Sequence, residues 1–393
     1  MAMGRTSVRV KAWHIKKMRL KHSTNTTKTT KGITKVETIT TLIGGIINEV
    51  VIATNGSTKE EIISIGTIEI IKATKGTVET NEDIKTMANQ VRTINHYKFT
   101  IWMKINGCTT TGRVMNLSLS GLLYKSTTIL NFSLFQPLEQ LQILDLSYNS
   151  FKGWVDSRAH HLKQLKILNL GYNNFNGGIL SYLTTITSLT TLILNWNNLQ
   201  DFDPTQSGGL GNLRNLEYLD LTSSSINVSL QELGLANLRN LEFLDLSSNM
   251  ISGSLQQANL RNLKFLDLSF NKISGSLQHA NLRNLEFLDL RYNGMIGSLQ
   301  ELGICNFKNL IELDLSENNF EGHLPPCVNN LTILRALDLS SNQLTGNIPS
   351  INLMQSVEYL SLQDNNFEGL FSFSSLVNLS KLEIFELSTK IVR

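Results

Sequence analysis

Aspartate recurs at near-regular steps through the second half of this 393-residue chain, at Asp145, Asp220, Asp245, Asp267, Asp289, Asp314 and Asp338. A row of carboxylates could do acid–base chemistry or hold a cation. Acid–base work needs two carboxyls whose surroundings push their pKa values apart. Here each Asp stands in the same Leu-Asp-Leu frame, so all repeat one environment. They read as consensus residues hydrogen-bonded to a neighbouring Ser and to backbone. The histidines add little: His160 and His161 are adjacent in a turn, and His279 and His323 fall in loops. No Cys/His spacing fits a zinc site. Gly208-Gly209-Leu210-Gly211 lacks the lysine of a phosphate loop. No kinase signature or nucleophile elbow is present. The chain therefore reads as a non-enzyme, with neither metal nor cofactor.

What remains is binding and covalent decoration. The residues just before a recurrent asparagine include Tyr148, Tyr172, Trp196, Phe270 and Tyr292, and Arg291 precedes the last of them. Aromatics exposed on a rigid strand are contact anchors, large in area and low in entropy cost. These six residues are the expected ligand contacts, placed on the outward side of the strands. Drift at unconstrained surface positions would give the same variability without the aromatic enrichment. Cys305 and Cys327 lie one repeat apart, which suits either a disulfide or two half-buried thiols. Sequons occur at Asn25, Asn55, Asn116, Asn131, Asn227, Asn330 and Asn378. The last five are the candidate glycosylation sites.

The elements that position these residues come from a repeat. The pattern LxxLxxLxLxxN returns every 22–27 residues, anchored at Leu141, Leu165, Leu189, Leu216, Leu241, Leu263, Leu285, Leu310, Leu334, Val357 and Leu382. Three 22-residue near-copies begin at Ala236, Ala258 and Ala280. In each unit, alternation turns both leucines of LDL inward and the residue between them outward, as a short strand requires. Stacked units then share one parallel sheet. The asparagine that closes each strand recurs at Asn149, Asn173, Asn197, Asn249, Asn271, Asn293, Asn318, Asn342 and Asn365. Its amide donates and accepts, so these residues form a ladder inside the turns. Ser224 interrupts the series and reads as a weak spot. The expected fold is a leucine-rich α/β solenoid, a curved right-handed superhelix with its sheet on the concave face and loops or 3-10 turns on the convex face.

Composition sets the limits. A net charge of +3 is too small over this length to argue for nucleic acid or a membrane surface. Ten Lys or Arg fall before the first acid, Glu37, yet no apolar run follows that would make a readable secretory signal. No stretch approaches a membrane span. Between Lys21 and Met115 the only leucine is Leu42. Residues 1–100 therefore read as a basic, then Thr/Ile/Lys-rich segment, poorly ordered or unrelated to the rest.

The stretch from Cys305 to Ser388, with its Gly322-His323-Leu324-Pro325 and Gly346-Asn347-Ile348-Pro349 endings, resembles plant receptor-like proteins. These are cell-surface receptors with leucine-rich-repeat ectodomains and no kinase. Trp102, Gly107, Cys108 and the run Gly112 to Leu119 resemble the end of that family's N-terminal cap, although Cys108 has no cysteine partner upstream. The resemblance implies a degenerate cap and first strand over 101–137, then about eleven repeats over 138–393, the last truncated at Lys390. It implies recognition of a peptide, protein or cell-wall ligand in defence or development. It also implies a co-receptor kinase as partner and a place outside the cell or at the plasma membrane. The alternatives are a soluble inhibitor of a secreted cell-wall hydrolase and a truncated, non-functional receptor product.

Overall fold

The computed structural model describes residues 113–388, apart from 122–127, 156–161, 208, 256–258, 278–279, 369–370 and 372, together with five strands between 33 and 108. His160, His161, His279, Asn25 and Lys390 lie outside the described residues.

Each repeat contributes one short strand, from Val114–Ser118 through Ile143–Asp145 to Ile384–Glu386. Twelve such strands run in parallel, each paired only with the turns before and after it. Register is strict: Leu144 faces Leu168, Leu219 faces Leu244 and Leu313 faces Leu337. The leucine pattern explains why. Leu144 and Leu146 are buried while Asp145 between them is half-buried, and ten of the eleven anchors, Leu141 to Val357, have no exposed surface. A slip of one residue would turn every leucine to solvent. Burying a leucine is worth about 1.5–3 kcal/mol, but one turn cannot cover its own, so the core exists only along the stack.

The asparagines run through that stack as drawn from the sequence. Asn271 Nδ2 donates to the carbonyls of Leu246 in the previous turn (2.9 Å), Leu268 (3.1 Å) and Ser269 (3.1 Å). Its Oδ1 accepts from the Ile251 amide at 2.9 Å. At Ser224 the network is rerouted. The hydroxyl donates to Leu194 O (2.8 Å) and Thr222 O (3.2 Å), and the Leu199 amide turns to the Ser224 carbonyl.

The convex side carries 3-10 turns such as Ile304–Asn306 and Pro326–Asn330 and a few short helices. Beside the concave sheet, Ile296–Ser298, Asn319–His323, Gln343–Gly346 and Asn366–Phe367 form a separate four-stranded parallel sheet. The extended segments leading to the Gly-x-Leu/Ile-Pro endings supply its middle strands. Upstream, Ile101–Cys108 pairs antiparallel with Val114–Ser118 and parallel with Ile68–Ala73.

Candidate ligand-binding face

The concave face is built in rows, one residue per turn. The first outward row holds Tyr218, Phe243, Phe265 and Phe287, stacked face to face with ring centroids 4.1, 4.2 and 4.3 Å apart. Each ring covers its neighbours, so these side chains are buried although they point away from the leucine core. Leucine periodicity alone does not reveal this row, because it marks only the leucines as buried. The identical Phe in all three near-copies was the available signal.

The next outward row is the aspartates. Asp267 is fully buried, and its Oδ1 accepts from the Ser269 amide at 3.0 Å and the Ser269 hydroxyl at 2.6 Å. Asp145, Asp245, Asp314 and Asp338 repeat this geometry with their own serines. One turn differs. Arg291 replaces the serine, and its guanidinium lies 3.4 Å from both Asp289 and Asp314. Burial, with Asp267 and Asp314 alongside, holds the Asp289 carboxyl well above the usual carboxylate range, and Arg291 opposes the rise. Burial and Asp338 lift Asp314 to about 6. Burial works against the charge on Arg291, but the surrounding aspartates outweigh it and raise its pKa. Among the described residues no His, Cys, Asp and Glu cluster could hold a metal ion.

The sequence reading put Tyr148, Tyr172, Trp196, Phe270 and Tyr292 on the strands. The structure moves them. The strands end three residues earlier, at Asp145, Asn169, Ile193, Asp267 and Asp289, and the aromatics stand at the bend that follows. All ten residues at this position, aromatic or not, have φ between +52° and +57°. The bend recurs at Ser223, where Ser224 stands in place of the ladder asparagine, so it follows from the backbone bonds between turns. It is a left-handed conformation that favours Gly, Asn or Asp and disfavours bulky side chains. Backbone preference therefore cannot explain five aromatics in ten turns.

These aromatics form two stacks. Tyr148, Tyr172 and Trp196 lie 4.2 and 5.7 Å apart, and Phe270 and Tyr292 lie 4.5 Å apart with the Arg291 guanidinium 5.5 Å from the Phe270 ring. Ser223 and Ser248 occupy the two positions between the stacks. All five rings are exposed, from 38% at Tyr172 to 53% at Trp196, whereas Arg291 is half-buried. By register, the outer neighbours of Tyr148 and Trp196 in this row are small, Gly121 and Ser223.

Among the sequons, Asn227, Asn330 and Asn378 are exposed and Asn131 is half-buried. Asn116 lies within a strand opposite Ile143, an outward position of the concave row. Cys305 and Cys327 are joined as a disulfide, with Cα atoms 5.7 Å apart, between the 3-10 turns of neighbouring repeats. Among the described residues no helix is long and apolar enough to cross a membrane.

Residues 164–186, 240–258, 309–331 and 334–352 match the Leucine Rich Repeat family, and 259–276 match a second Leucine Rich repeat family. Together with the stacked parallel sheet, these matches define the chain as a leucine-rich-repeat solenoid. Within that class its likeness is to plant receptors. It is 55% identical over 92 residues to Receptor-like protein 1 of Arabidopsis thaliana, a match covering 23% of this chain and 8% of that one. The match thus spans under a tenth of that relative's length. Among solved structures it resembles the ectodomain of the receptor kinase GASSHO1/SCHENGEN3 of Arabidopsis thaliana in complex with CASPARIAN STRIP INTEGRITY FACTOR 2. That likeness has a TM-score of 0.57 and 28% identity, and it covers 68% of this chain and 32% of the other. It also resembles the plant peptide hormone receptor RGFR1 in complex with RGF2, with a TM-score of 0.57 and 26% identity over 70% of this chain and 47% of that one.

Proposed function

We propose that this chain is a ligand-recognition module of a plant receptor-like protein. Outside the cell it binds a peptide or protein across the concave edge, signalling through a partner kinase and catalysing nothing itself. The observation that carries this reading is the aromatic enrichment at a left-handed bend, where the backbone disfavours bulk. Tyr172, Trp196, Phe270 and Tyr292 are the anchors, and Arg291 braces the second stack from below. The likeness to a peptide hormone receptor supports a peptide ligand. The aspartates of this row are committed to their own Ser or Thr hydroxyls or to Arg291, which leaves them no catalytic role.

The test is a peptide selected from a displayed library against the full chain. We expect Trp196→Ala combined with Tyr292→Ala to weaken its binding more than tenfold while leaving the melting temperature unchanged, because both rings are exposed. Unaltered affinity in the double variant would sink the proposal.

A further inference from the structure

A second row of side chains lies away from the concave face, on the segment that enters each strand. The unit Leu-Arg-Asn-Leu, with Phe-Lys-Asn-Leu at the end, places Arg214, Arg239, Arg261, Arg283 and Lys308 at the same position of five consecutive turns. All five are exposed. None makes an ion pair with any described residue.

The row is held in register by a second asparagine ladder. The Nδ2 of Asn240, Asn262, Asn284 and Asn309 donates to the carbonyls of Arg214 (3.2 Å), Arg239, Arg261 and Arg283 (each 2.9 Å). Each of the four arginines is therefore tied through its own carbonyl to the next turn. Their backbones advance at the parallel-strand step, about 4.8 Å per charge. The flanking row at the strand entrances holds Glu217, Glu242, Lys264 and Glu286, of which Glu242 is taken by Lys264 at 2.7 Å. The surface stays positive. Next to its last two cations, a cleft of about 750 Å³ is lined by Arg283 and Lys308, Asn281, Asn306 and Asn309, with Leu282 at its floor.

We infer that this row is a binding site for a linear polyuronate, an acidic polysaccharide carrying one carboxylate per sugar. The choice follows from spacing. Successive rings of a two-fold 1,4-linked uronate chain face opposite ways, so its same-face carboxylates recur about every two steps of the stack and meet alternate cations. An extended acidic peptide presents same-face side chains about 6.8 Å apart and falls out of step. Duplex DNA carries a phosphate about every 3.4 Å of each strand along its axis, and its helix turns those phosphates away from a single row. The asparagines of the second ladder follow each cation and offer partners to the sugar hydroxyls. This site is separate from the aromatic face and does not depend on the peptide reading.

The probe is an unesterified oligogalacturonate of ten residues, titrated calorimetrically into the full chain across a salt series. We expect binding that weakens as salt rises, because exposed charges are screened. The triple variant Arg239→Gln, Arg261→Gln, Arg283→Gln should lose at least tenfold in affinity with its melting temperature unchanged. A gain-of-function variant guards against misfolding. Thr187 is exposed, and its carbonyl accepts from Asn215, which puts it one step upstream in the same row. Thr187→Arg should therefore tighten binding severalfold and steepen the salt dependence. Full retention of affinity in the triple variant, or equal binding of the methyl-esterified oligomer, overturns the inference. A DNA duplex of equal charge binding as tightly overturns it too, reducing the row to a general polyanion surface.

Discussion

Arg291 shows how one residue changes the electrostatics of a repeat whose frame stays constant. In the turns on either side, Ser269 and Ser316 quiet their aspartates with a hydroxyl donor at 2.6 Å. Arg291 instead shares its charge between Asp289 and Asp314 at 3.4 Å. Both carboxyls still titrate above their ordinary range, because burial and neighbouring acids outweigh the guanidinium. A carboxyl whose folded pKa is raised favours the native state when protonated. That contribution is complete below about pH 4, the unfolded value, and is lost as pH climbs through about 6, where Asp314 titrates. The chain should thus melt a few degrees higher at pH 4.5 than at pH 7.5, a difference on the order of 2 kcal/mol. Arg291→Met removes the cation that lowers both carboxyls. The decline should then start at the same pH but run on to higher pH, leaving the protein less stable than wild type at pH 7.5. A flat melting profile between pH 4 and 8 in the wild type would refute this account.

At the scale of the element, the asparagine ladder decides which turns are rigid. Asn271→Ala would strip the donor from three buried carbonyls and the acceptor from the Ile251 amide. A cost of about 3 kcal/mol is expected, since buried backbone groups left unpaired are expensive. Asn271→Ser should cost roughly half as much, because Ser224 shows a hydroxyl serving two carbonyls while the neighbouring amide finds a backbone oxygen. Chemical denaturation of both variants checks the order, and equal costs would contradict it. These elements also show where the sequence was legible. The leucines and ladder asparagines could be read because each recurs in a buried chemical role that one residue type fills best, with Val357 and Ser224 as the exceptions. The stacked row of Tyr218, Phe243, Phe265 and Phe287 could not, because alternation marks an outward residue as exposed and says nothing of neighbours burying it. The left-handed bend was equally silent. Tyr148 or Trp196 carries no mark of positive φ, which is set by hydrogen bonds from the next turn such as Tyr148 N to Gly171 O at 3.0 Å. The second asparagine ladder had the same repeated spacing as the first, but its exposure hid its role.

The described repeats form a stack in which each turn of the concave sheet pairs only with its neighbours, so their stability is a sum of local terms that can fail locally. The disulfide between Cys305 and Cys327 is the one covalent tie among the described residues, and it joins two adjacent turns over 22 residues. In the chain-entropy account, closing a loop of that size stabilises by about 3 kcal/mol. In a globular domain that gain would be shared by every residue. In a stack it belongs to the two turns it ties and fades with distance, because each interface of the concave sheet is crossed by contacts between the two turns it joins. Replacing both cysteines by alanine should therefore speed amide exchange in the turns around 304–331, while those around 143–170 keep their protection. Exchange resolved by peptide mass spectrometry would read this directly. A uniform loss of protection from 143 to 386 would mean that the turns unfold as one cooperative unit, and the local picture of this solenoid would have to be given up.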